Sequence, residues 1–260
     1  MIARKLTIWG ALAQGAILES IRRKDMYVAV ILALVMIGAA ATIGTFGVHG
    51  LEIFLKDTAL NVVNLLSILM AVLFSSRQIA EEVSRRTVYP LLARPIGRGD
   101  LLIGKFLGAF ALSALSLLLF ALVAWGALAC YGLSLGVIFL QYLLLRLFSL
   151  ALICAMTLML SVFITPSATI TMALLLAVGS QTFGRAVMLV DQTVSPNVQI
   201  LLRGVYVALL HLDFFDMHEK VSYGWKPVPA WVPTELFFYA LLYIGIFLIV
   251  AFLRFRRQAL

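Results

Sequence analysis

With 260 residues, 63% of them hydrophobic and 12% charged, and a mean hydropathy of +1.07, the chain cannot be a soluble globule, whose apolar share lies near half. It reads as an all-α integral membrane protein, a single membrane domain over residues 1–260, with room for about six spans of about 20 residues and none for a large soluble domain. The net charge of +8 does not imply nucleic acid, because Lys and Arg come in short clusters beside apolar runs; Cys130 and Cys154 lie inside such runs and read as packing residues.

In residues 1–24, Ile2, Leu6, Trp9, Ala13 and Ile17 recur at helical spacing, with Arg4, Lys5, Gln14 and Glu19 elsewhere around the turn. This predicts an interfacial amphipathic helix, and no signal-peptide pattern marks it for removal. Arg22, Arg23 and Lys24 stop that helix before an uncharged run from Met26 to Val48, the first expected span. A short polar stretch from His49 leads into a second span at about Thr58 to Ser76. The long polar loop of residues 77–100 follows, and then no charge occurs from Phe106 to Leu145, enough for nearly two crossings.

The break between those crossings is expected at Cys130 to Ser134, where Gly132 permits a tight turn. The fourth span is expected to end near Thr165, ahead of Pro166, which cannot continue a helix ladder. A fifth span covers about Ala168 to Val190, and a sixth about Val232 to Leu253. Between them lies a mixed outer segment, residues 191–231. Its apolar part, residues 197–212, is short for a span and reads as re-entrant or interfacial.

Six spans with both termini in the cytoplasm put Arg4, Lys5, Arg22, Arg23, Lys24, Arg77, Arg85, Arg86, Arg94, Arg98, Lys105, Arg254, Arg256 and Arg257 inside. Only Lys56, Arg203, Lys220 and Lys226 fall outside, the asymmetry expected of that orientation. Arg146 and Arg185 remain within spans.

Gly99 to Phe106, GDLLIGKF, satisfies G-x-x-x-x-G-K but places Phe106 where a phosphate-binding loop needs Ser or Thr for magnesium. It also lacks a preceding strand, so the chain has no visible means of using ATP itself. The same region, IAEEVSRRTVYPLLARPIGRGDLLIGKFLGAF, resembles the signature of ABC-2 type transporter permeases. That signature runs from an acidic residue through Thr, a Leu pair, Pro and a basic residue to Gly-Lys at the third span. Glu81 or Glu82, Thr87, Leu91 and Leu92, Pro95, Arg98, Gly104 and Lys105 stand in that order. The departures are Arg86 where the family has Gly, and HLDFFD where many relatives have Pro-Asn.

The resemblance implies a permease subunit of an ATP-driven exporter in a bacterial or archaeal cytoplasmic membrane. Between spans 2 and 3 it implies a cytoplasmic coupling helix that docks on separate ATPase subunits, two copies, which carry the ATP and magnesium. Arg77, Glu81, Glu82, Arg85, Arg86, Thr87, Leu91, Leu92, Pro95, Arg98 and Lys105 are the docking residues so implied. It further implies pairing with a second copy or a paralogous permease, an outer-surface partner as a further candidate, and no cofactor in this chain.

Arg146 sits near mid-membrane, where a cation costs several kcal/mol unless it faces water, protein or a partner. It is a candidate for a translocation path or a subunit interface; its structural alternative is hydrogen bonding to helix carbonyls, Gln141 or nearby hydroxyls. His211, Asp213, Asp216 and His218 have side chains able to ligate a divalent metal, but no helical spacing organises them. No nucleophile–base constellation is present, so no catalytic centre is expected. Two other classes remain at the level of the residues: an ion-coupled secondary transporter, which needs intramembrane acids or inverted repeats, and a non-transporting membrane scaffold.

Overall fold

The computed structural model describes residues 51–84, 97–190 and 210–257, with isolated positions among residues 9–38 and Gly204. All regular structure among the described residues is helical. Helix α1 spans Leu51–Ser84, α2 Arg98–Cys130, α3 Ile138–Phe163 and α4 Pro166–Val190; a 3-10 turn at Leu212–Phe215 and the short α5, His218–Ser222, lead to α6, Trp231–Arg257. Five of these helices are long and apolar enough to cross a membrane. The first expected span, Met26 to Val48, and the expected amphipathic helix of residues 1–24 lie mostly outside the described residues, as does the 197–212 segment. Within the first of these, Val30, Ile31, Ala33, Leu34 and Val35 are helical, and Ala33 packs into the core.

The helix ends follow local chemistry. At the end of α2, Gly132 adopts φ +73°, and its N–H donates to Ala129 O while Leu133 N–H donates to Leu128 O. This is the left-handed glycine cap that satisfies the last carbonyls of a helix. The α3–α4 connection is two residues, Ile164 and Thr165, and Pro166 opens α4 at the position where its missing N–H costs nothing.

Helix α1 is the hub. It packs on α2, α3, α4 and α5, and α3 in turn packs on α2, α4 and α6. Of its most hydrophobic stretch 72% is buried inside the chain, against 11% for α6, which leans on α3 and α2 and leaves Phe238, Leu241, Leu242 and Ile249 exposed. A helix apolar around its whole circumference yet packed on one side presents the rest to lipid or to another subunit. At one end of the bundle Phe252 of α6 lies beside Gly99 of α2, and the Arg254 guanidinium lies 5.6 Å from the Phe163 ring. The 3-10 turn, α5 and the start of α6 cluster at the opposite end.

Candidate functional site

Two regions carry the polar chemistry. The first is the pair of helix ends flanking residues 85–96. Helix α1 continues as one helix through Glu81 and Glu82 to Ser84, and α2 begins at Arg98 with Gly97 as its extended cap. With 34 residues, α1 is about 51 Å long, against a hydrocarbon core of about 30 Å. It therefore projects well beyond the apolar stretch that ends at Gln78. Arg77 is half-buried. Arg85, Arg86, Thr87, Leu91, Leu92 and Pro95 lie outside the described residues, as do the side chains of Glu81, Glu82, Arg98 and Arg185.

Lys105 is 6% exposed within α2, so it belongs to the bundle and not to an open surface. The whole of Gly99 to Phe106 is helical. A phosphate cradle needs successive loop N–H groups turned inward, whereas here the N–H groups from Leu101 onward are spent on the helix ladder. Asp100, in the first turn of α2, accepts a hydrogen bond from Trp9 Nε1 at 3.1 Å. That carboxylate suits the positive end of the helix dipole, and the bond ties the N-terminal segment to the start of α2.

The second region surrounds Arg146. On α1, Asp57, Asn61 and Asn64 follow one another at spacings of four and three, which sets them on one face. Asn64, 4% exposed, turns that face towards α3, where Arg146 is fully buried. Arg146 Nη2 donates to the Asn64 carbonyl oxygen at 3.1 Å and also to Asn64 Oδ1. Asn64 Nδ2 in turn donates to Asp216 Oδ2 at 3.2 Å and to Gln181 Oε1 on α4 at 3.4 Å.

Asp216 Oδ1 lies 2.8 Å from His218 Nδ1 and accepts the His218 backbone N–H at 3.2 Å. The other ring nitrogen of His218 is 3.5 Å from Asp57 Oδ1, returning the chain of contacts to α1. Burial pushes the Asp216 carboxyl up, but the His218 bonds and charge, and the Arg146 charge, outweigh it and bring it down to about 2. Asp216 is thus the counter-charge of Arg146, relayed through Asn64.

Arg146 is enclosed by its own chain and lies on none of the exposed faces. Among the described residues it donates to a helix carbonyl, that of Asn64, and to the Asn64 side chain, and not to Gln141 or a hydroxyl; Gln141 instead exchanges two hydrogen bonds with the Val228 backbone, 2.9 and 2.8 Å. Nor do the four candidate metal ligands converge: His211 stacks on Phe214 at 5.1 Å, while His218 turns to Asp216 and Asp57. Among the described residues no three His, Cys, Asp or Glu side chains form a metal-holding group.

Asn64 and Gln181 are the members that sequence reasoning missed. A polar stripe inside an apolar span was the available signal.

What the arrangement does chemically is join elements. A buried cation, an amide relay and a buried carboxylate fasten the segment before α6 onto α1, α3 and α4. No curated protein matches the chain. The sequence model of the ABC-2 family transporter proteins matches it over residues 14–260, which takes in both the helix ends around residues 85–96 and the Arg146 network. The chain belongs to the ABC-2 family of transporter proteins.

Proposed function

We propose that this permease is the membrane subunit of an ATP-driven exporter, working as a dimer and driven through residues 77–100 by separate ATPase subunits bound on the cytoplasmic side. The observation that carries this reading is the length of α1. A single helix that begins beside the Asp57 contacts, packs along three other spans and extends past the bilayer thickness is a rigid lever. A push at its far end reaches the Arg146–Asn64–Asp216 joint without passing through a loop. Trp9 against Asp100 supports placing the amphipathic N-terminal segment along the same surface.

In this reading Glu81, Glu82, Arg85, Arg86 and Arg98 supply charged contacts to the ATPase, and Thr87, Leu91, Leu92 and Pro95 supply its packing surface. Lys105, being buried, stiffens the base of α2. ATP and magnesium are held by the partner. Arg146 acts as the joint between the outer segment and the lever, and the exposed face of α6 is open for a second permease copy.

The test is co-purification in mild detergent with the double change Glu81→Lys and Glu82→Lys. Loss of the ATPase, or of its stimulation by the permease, is expected at tenfold or more, since several like charges would face one another (about 1.4 kcal/mol per tenfold). Intact assembly and normal stimulation would remove the docking role from these residues.

A further inference from the structure

Beside the Arg146 network, on the side facing α6, lies a cleft of about 540 Å³, within the range of small-ligand sites. Its apolar wall is Leu145 of α3, Phe214, Met217 and, on the approach to and first turns of α6, Val228, Val232 and Leu236. Its polar lining is Asp213, Asp216, Glu219 and Lys220. Both walls are fixed: the Gln141–Val228 pair clamps the α6 side to α3, and Asp216 holds the other through Asn64. A ligand entering would find the cleft already formed, with little ordering cost.

The cleft sits where α6 enters its apolar stretch, and Val232 and Leu236 continue onto the helix whose most hydrophobic window is only 11% buried. Trp225 and Trp231, about 60% exposed, stand near the lining residues Val228 and Val232 in the chain, and exposed tryptophans where a span begins suit the aromatic belt at a membrane–water boundary. Lys220 is half-buried in the lining, and its ammonium engages no side chain among the described residues. An apolar trough descending into the bilayer below a head of mixed charge has the polarity of a membrane lipid.

We infer that this cleft binds a phospholipid with an amine-bearing zwitterionic head group, its phosphate on Lys220, its amine towards Glu219 and Asp213, and its acyl chains along Val232 and Leu236 of α6. The bound lipid fills the gap between the outer segment and the last span.

The experiment is thermal denaturation of the purified full-length chain, with any co-purifying ATPase retained, titrated with dioctanoyl phosphatidylethanolamine. Dioctanoylglycerol, which lacks the phosphate and amine, and glycerophosphoethanolamine, which lacks the chains, are run in parallel. The intact lipid should raise the Tm saturably and the other two should not. Lys220→Ala should weaken the apparent Kd about tenfold, as expected for loss of a hydrogen bond to a charged group. Leu236→Trp, which fills the trough, should abolish the shift, while Leu242→Trp, exposed further along α6, should leave it intact. No lipid-induced shift, an equal shift with dioctanoylglycerol, or an unchanged Kd in Lys220→Ala would overturn the inference; a shift with glycerophosphoethanolamine alone would also overturn it, assigning the site to a free phosphoester.

Discussion

Arg146 can stay buried only while a nearby carboxylate stays ionised, and Asp216 is kept so by His218 and by Arg146 itself. Its carboxyl titrates near 3.8 in the unfolded chain and at about 2 when folded, with the side chain 3% exposed. The stabilisation is therefore full above about pH 4 and is lost as pH falls through about 2, a total of about 2 kcal/mol. Denaturation followed in detergent across that interval should show this loss in the parent chain and not in Asp216→Asn; parallel curves would contradict it. At this scale the sequence was partly legible. Arg146 stood out as a cation in a span, but its partners come from positions 82 residues earlier and from the segment before α6. Hydropathy along the chain cannot register a counter-charge supplied across the bundle; only the Asp57, Asn61, Asn64 stripe hinted at it.

For whole helices the legible part was the turns. Gly132 and Pro166 end and begin helices as their backbone chemistry requires. The extents were less legible: the second span was expected from about Thr58 to Ser76, yet α1 runs Leu51–Ser84. Hydropathy detects the lipid-immersed stretch, whereas a helix continues into water as long as its side chains tolerate it. The seat of the 3-10 turn on α4 was invisible, because it depends on one missing side chain. A Cβ at Gly184 would lie 2.5 Å from Asp213 Oδ2 and 2.8 Å from its Cγ, while one at Gly179 on the same helix meets nothing within 4 Å. Gly184→Ala should thus cost about 1–3 kcal/mol by levering Asp213 and its turn off α4. Gly179→Ala should be neutral or stabilise by up to about 1 kcal/mol. Thermal stability of the two variants side by side checks this, and equal effects would mean that Asp213 does not rest on Gly184.

On the scale of the molecule, the chain is built around a long buried helix and a last span that leaves most of its apolar surface uncovered. Composition alone established the membrane class, and the order of residues from Glu81 to Lys105 established the family resemblance that the 14–260 match bears out. Composition and motif do not reveal how force would travel. In the proposed function it travels along α1, a single helix that runs from the Asn64–Arg146 joint to Ser84, next to residues 85–96. The proposed coupling requires the ATPase to sit at the Ser84 end of this lever and nowhere near the α2–α3 turn at Tyr131. Photo-crosslinking with benzoylphenylalanine placed singly at Glu82 and at Tyr131, in cells expressing the permease with its ATPase, reads this directly. An adduct of permease and ATPase from position 82 and none from position 131 is the predicted result; an adduct from position 131, or none from position 82, would contradict it.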